Sequence, residues 1–239
     1  MFDDYFEIFL ADTPEGKEEH YKIRYQVYCE EMGFEDKIKF PQKLEYDDVD
    51  KYSIHFIVRN KITKRWVAAM RLIPGQGKKL PIESLYSIND EIDLFSTVEL
   101  SRLCVVKDVR RRSTDFDPPH GITHEKGDDQ NESNVKSIHG QRRLNRCIIW
   151  GLFRAATIYS AENNIENWVS VTTKALAKVI SSEGFNLTQI GDACNHKGIR
   201  YPYKANVKEI LSNPIWMNYQ AGFDLYSNLE KATQIMSAA

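Results

Sequence analysis

The segment Thr97–Val106, reading TVELSRLCVV, constrains this chain more than any other. It has the apolar content of a core strand, yet Glu99 and Arg102 stand within it. Burying an unpaired charge is costly, so an ion pair, a cavity or a ligand has to account for both. A structural salt bridge is one reading and a functional site is the other. Three upstream pieces favour a site: Arg24 in IRYQVY, the acidic run Glu45-Tyr46-Asp47-Asp48-Val49-Asp50, and Arg71 in MRLIP. Strict alternation along a strand sends Glu99 and Arg102 to opposite faces, and they share a site only if a bulge interrupts the strand.

The rest of the chain alternates strands and helices. Phe6–Leu10 reads as a first strand. A helix then starts at Asp12-Thr13-Pro14-Glu15, with a capping oxygen, a proline in its first turn and an acid at its positive end. It should run to about Glu31, with Gly33 ending it. Residues 35–51 form a charged loop too long for a neutral connector. Residues 53–59 alternate, with Ile54, Phe56 and Val58 on one face and His55 and Ile57 on the other. Trp66–Ile73 pairs back after a turn. Residues 80–95 hold a short helix or turn leading into the Glu99 strand. Gln141–Glu162 is a strong helix, since Leu144, Ile148, Leu152, Ala155 and Tyr159 recur at helical spacing. A strand over 168–173, a helix over 174–184 and a strand over 185–190 follow. Between them, 113–139 is polar and rich in Pro, Gly and Asn, which predicts a mobile insertion in a single domain spanning 1–239. The expected class is α/β, with a mixed central sheet flanked by helices.

Charge excludes some functions. A net charge of −2 over 239 residues gives no global attraction to nucleic acid, so an acidic partner must be met by a local basic patch. The four cysteines are scattered without CxxC or metal-finger spacing, and Cys104 and Cys147 sit in apolar patterns as inert core thiols. No metal site is expected, because His120, His124 and His139 are irregularly spaced. No secretory signal and no integral membrane segment are read, so the expected location is cytoplasmic. His55 is either a second acid/base group or a satisfied structural side chain.

The ordered set Arg24…Phe34…Glu45-x-Asp47-x-x-Asp50…Arg71-Leu72-Ile73-Pro74…Glu99-x-Ser101-Arg102 resembles the acyl-homoserine-lactone synthases and the N-acyl amino acid synthases, both branches of the GNAT acyltransferase fold. RYQVYCEEMGFE, YSIH and the late GIRYPY look closest to acyltransferases associated with PEP-CTERM/exosortase systems. The resemblance covers about residues 5–205 and implies a GNAT-like fold with a bulge in the Glu99 strand. It implies that Glu99 is a general base, and that Arg24, Phe34, Asp47, Asp50, Arg71 and Arg102 shape the acceptor pocket. Carboxylates suit an ammonium and arginine forks suit a carboxylate, so Asp47 and Arg71 are expected to grip the two ends of a zwitterionic acceptor. An Arg–Asp framework bracing the N-terminal helix is the alternative for Arg24 and Asp50.

The resemblance also places a pantetheine arm along the strand at Leu103 and Val105, with its phosphate end at the next helix. The usual glycine-rich signature is absent, which favours a donor on acyl carrier protein over acyl-CoA. Arg110, Arg111, Arg112, Arg142, Arg143 and Arg146 would suit that carrier's acidic surface. The expected activity is transfer of a fatty acyl group from carrier protein, or from acyl-CoA, to the amine of an amino acid or related small molecule. No permanently bound cofactor is expected. The alternatives are an acyl-homoserine-lactone synthase using S-adenosylmethionine, and a non-catalytic module that binds acyl carrier protein.

Overall fold

The computed structural model describes residues 2–89, 91–109 and 136–217; the side chains of residues 4, 136–147 and 217 are not among what it describes. Helix α1 (Phe2–Tyr5) leads into β1 (Phe6–Leu10), then α2 (Pro14–Arg24), β2 (Ile54–Asn60), β3 (Trp66–Pro74), α3 (Pro81–Leu85) and β4 (Thr97–Val105). The chain continues through α4 (Lys136–Glu162), β5 (Asn167–Thr172), α5 (Lys174–Ser182), β6 (Thr188–Gln189), β7 (Cys194–Asn195), β8 (Ile199–Asn206) and α6 (Val207–Leu211). The sheet runs β1-β2-β3-β4-β5-β8-β6, with β7 pairing onto β8. All neighbours are antiparallel except β4 and β5, the one parallel pair.

Alternation in β2 sets the layers. His55 faces α2, where it meets His20 ring to ring at 4.6 Å. Phe56 faces α4, where its ring lies 6.0 Å from Tyr159. The main core fills the space under α4, with Phe56, Met70, Ile148, Leu152, Phe153 and Trp168 all buried. Buried apolar surface of this kind supplies most of the folding free energy. Helix α1 is held against α4 by Arg154, which donates to both carboxylate oxygens of Asp3 at 2.9 and 2.7 Å.

Several expectations need adjusting. The N-terminal helix is α-helical only to Arg24 and continues as a π-helix over Tyr25–Glu31 before Gly33 turns it at φ +63°. The helix expected from Gln141 begins at Lys136, so residues 136–139 belong to α4 and not to the insertion. The remainder of that expected insertion, 113–135, lies outside the described residues. The strand expected over 185–190 is only Thr188–Gln189. The β7–β8 hairpin was not foreseen from pattern, because Pro202 and the alternating polar residues of β8 obscure a strand whose partners lie elsewhere in the chain.

Candidate functional site

Strand β4 does break its own alternation. Ala69 of β3 pairs with Cys104, whereas Arg71 pairs with Ser101, so three steps on β4 oppose two on β3. The extra residue sits at a bulge, and Arg102 takes the left-handed conformation there at φ +51°. This conformation is costly for a non-glycine residue and is held in place by its surroundings. It turns the Arg102 side chain to the face already occupied by Arg71. Glu99 and Arg102 therefore share a site.

Beside the bulge, β4 and β5 part. Their pairing runs from Thr97–Asn167 to Leu100–Ser170 and goes no further. A cavity of about 840 Å³ opens there, with a lining drawn from both faces of the sheet. Its polar end carries Asp47, Arg71, Glu99, Ser101, Arg102 and Arg200. Its other end, beneath α4 and α5, is lined by Ile149, Phe153, Trp168, Leu176, Ile180 and Phe185.

Glu99 is buried, and its Oε2 accepts from the Ile82 backbone N–H at 2.8 Å. Burial pushes its carboxyl up to about 7, against the lowering effects of the Ile82 bond, Arg71 and Arg102. A carboxyl poised there can accept a proton near neutral pH. Helix α3 thus supplies the group that orients it, a contact with no signature in the sequence.

The charged residues behind this face form one network. Asp50 Oδ1 accepts from Arg24 Nη1 and Arg71 Nη1, each at 2.7 Å, and contacts His55 Nε2 at 3.0 Å. Asp50 Oδ2 accepts from the Asp47 backbone N–H at 2.8 Å. Burial raises the Asp50 carboxyl, but the His55 bond and the two guanidiniums outweigh it, so Asp50 is held well below the usual carboxylate range. Arg24 also binds Glu45, to which Arg102 Nη2 comes at 3.1 Å. Asp47 Oδ1 accepts from Arg71 Nη1 at 2.7 Å, and Ser101 Oγ accepts from Arg71 Nε at 3.1 Å.

The expected acceptor residues therefore separate. Phe34, Asp47, Arg71 and Arg102 line the cavity. Arg24 and Asp50 do not: both are buried behind it, bonded to each other and to their neighbours, and they brace the framework. His55 belongs with them, since its ring bonds Asp50 and burial lowers its pKa. Asp47 and Arg71, expected to grip opposite ends of a ligand, bind one another. Leu103 and Val105, expected along the donor arm, line the cavity, and the Leu103 carbonyl accepts from the Tyr28 hydroxyl at 3.0 Å. Arg110, Arg111 and Arg112 lie outside the described residues, as do the side chains of Arg142, Arg143 and Arg146. Burial pushes the Cys104 thiol up to about 12, which keeps it an unreactive thiol.

Tyr86, His196, Lys197 and Arg200 escaped the sequence reading, and all four line the cavity. The last three sit on the β7–β8 hairpin, whose turn places Lys197 and Gly198 at positive φ. Lys197 pairs with Glu35 across the cavity mouth. The only available signal was GIRYPY itself, with its glycine-led turn. Among the described residues no group of three or more His, Cys, Asp or Glu could hold a metal ion, and no helix is long and apolar enough to cross a membrane.

Comparison with known proteins agrees with this architecture. Residues 23–116 match the acetyltransferase (GNAT) domain family. No curated protein sequence matches. Among solved structures, the CoA-dependent acyl-homoserine lactone synthase BjaI, with SAM and isopentyl-CoA, superimposes at a TM-score of 0.60 and 15% identity, over 92% of this chain and 90% of that one. TofI, in a ternary complex with an inhibitor and MTA, gives 0.57 and 15%, over 92% and 98%. FeeM, an N-acyl amino acid synthase from uncultured soil microbes, gives 0.53 and 13%, over 90% and 96%. At these identities the likeness is one of fold. Residues 23–116 thus resemble an acetyltransferase (GNAT) domain, and the structure around them has the fold these synthases share.

Proposed function

We propose that the protein moves a fatty acyl group from a carrier thioester to the amine of an amino acid or a related small molecule. The observation that carries this reading is a single cavity, crossing the sheet where β4 and β5 part, with Glu99 at its polar end and an apolar limb beneath α4 and α5. The limb suits an acyl chain, since each buried methylene contributes about 0.8 kcal/mol. The parting of the strands suits a thioester arm, because the edge of β4 beyond Leu100 has no partner in β5.

The chemistry follows from that placement. The acceptor nitrogen attacks the thioester carbonyl, a C–N bond forms, and the C–S bond breaks. Glu99 takes the proton from nitrogen, directly or through a water, and passes it to the departing sulfur, which leaves as a thiol and restores the carboxylate. A carboxyl raised to about 7 suits this task better than an ordinary glutamate, because it holds the proton more firmly.

Acyl carrier protein is the proposed donor carrier, on the basic composition of Arg110–Arg112, Arg142, Arg143 and Arg146. BjaI is described as CoA-dependent, so acyl-CoA is the competing donor. The cytoplasm is the proposed compartment. The test is thiol release from acyl carrier protein and from acyl-CoA, with amino acids and with S-adenosylmethionine as acceptors. Release that requires an amino acid and runs faster from the carrier protein supports the reading. Release only with S-adenosylmethionine, with a lactone as product, replaces it with the lactone-synthase reaction.

A further inference from the structure

The zwitterionic acceptor of this reading needs a partner for its carboxylate, and Arg71 has only its Nη2 outside its bonds to the framework. Its Nη1 is shared by Asp47 and Asp50 and its Nε is held by Ser101. Arg102 is likewise engaged by Glu45 and Asp47. Two donors in the same cavity are not engaged in this way. The Arg200 guanidinium contacts only backbone carbonyls of its own hairpin, His196 at 3.0 Å and Lys197 at 3.4 Å, and meets no carboxylate among the described residues. The Tyr86 side chain lines the cavity, and its hydroxyl is buried with no hydrogen-bond partner.

A buried hydroxyl without a partner is costly, and such groups commonly mark a place that a ligand completes. A guanidinium lining the same cavity adds charge and a fork of donors that fits a planar carboxylate. Tyr86, Glu99 and Arg200 all line this one cavity. The ligand this arrangement takes is a monoanion. A phosphate dianion would meet the nearby carboxyls of Glu99 and Asp47, whereas a carboxylate with an attached amine sets its negative end on Arg200 and its nitrogen towards Glu99.

We propose that Arg200 and Tyr86, not Arg71, hold the carboxylate of the acceptor and thereby select amino acids over simple amines. This rests on the acceptor being an amine, as argued above. Its test reads binding and needs no turnover. The probes are N-decanoyl-alanine and N-decanoyl-ethylamine, which differ by the carboxylate, titrated calorimetrically into the wild-type protein and its variants. The wild type should bind the alanine derivative about tenfold or more tightly than the other, as a charge-assisted contact requires. Arg200→Met should close that gap, Tyr86→Phe should narrow it, and Arg200→Lys should retain part of it. Equal binding of the two probes by wild type, or a full gap surviving in Arg200→Met, overturns the assignment. Thioester turnover with alanine and ethylamine is measured in parallel. A protein that shows the binding gap but acylates neither amine keeps this site and loses the proposed reaction. One that acylates both amines equally and binds both probes equally keeps the reaction and loses the site.

Discussion

Arg71 and Arg24 approach Asp50 Oδ1 from opposite elements, strand β3 and helix α2, and each donates an Nη1 to that one oxygen at 2.7 Å. The pair of contacts ties the N-terminal helix to the sheet through a carboxylate that hardly meets solvent. Asp50→Asn leaves two buried guanidiniums facing a neutral amide. Removing one partner from a buried ionic cluster costs about 3–5 kcal/mol, so this substitution should lower stability by that order. Urea unfolding checks it, read as a fall in midpoint at unchanged slope. A midpoint within experimental scatter of wild type would show that Asp50 is not a structural anchor.

Glu99 predicts a pH profile. Its carboxyl titrates near 7 in the folded chain against about 4.5 when unfolded, so between these values the folded state holds the extra proton. Stability from this group is full below about pH 4.5 and is lost as pH rises through about 7. Activity runs the other way, since only the ionised form is a base. Turnover should climb through about pH 7 and level off above it. Glu99→Gln should fold, lose about two or more orders of magnitude in turnover, and no longer show that stability slope. Turnover of the variant within a few-fold of wild type would remove Glu99 from the proton transfer.

Arg102 combines a backbone role with a charge. At φ +51° a glycine fits without strain and a β-branched residue does not. Arg102→Gly and Arg102→Val lose the same contacts to Glu45 and Asp47, so their difference isolates the backbone. The valine variant should be less stable than the glycine variant by about 1–3 kcal/mol, and its acyl-thioester KM should rise as the bulge distorts. Thermal unfolding and steady-state kinetics on both variants decide it. Equal melting points would mean that the bulge relaxes without cost.

The apolar limb should act as a ruler for the acyl chain. Leu176 on α5 lines it and is only partly buried, so a larger side chain there can be accommodated by taking cavity volume. Leu176→Trp should shift preference towards shorter donors, with about a fourfold loss in kcat/KM for each methylene the limb no longer buries. Thiol release across donors of increasing chain length measures this. An unchanged chain-length profile would place the acyl chain outside the limb.

Local pattern determined much of this protein. Helix α2 announces itself through Thr13, Pro14 and Glu15, and the Thr13 hydroxyl does cap it by accepting from Gly16 N–H at 3.1 Å. The 3.6-residue recurrence of Ile148, Leu152, Ala155 and Tyr159 and the alternation about His55 and Phe56 fixed which faces turn inward, because burial of apolar side chains obeys the periods of the backbone. The charges Glu99 and Arg102 in a core strand signalled a site before any fold was drawn. What the sequence could not determine was how those charges would be shared out. Arg24, Asp50, Arg71 and Asp47 carry the same kinds of group, and only three-dimensional distance separates the ones that brace α2 from those that reach the cavity. The bulge needed register, since an arginine in left-handed conformation leaves no mark in the residue order. Arg200 and Tyr86 needed tertiary structure most, because they are more than a hundred residues apart in the chain and line one cavity only after β8 has paired beside β5. Local propensity and periodicity are read from neighbours in sequence, whereas a site is assembled by strand order and by which donors remain unsatisfied once the framework has taken its share.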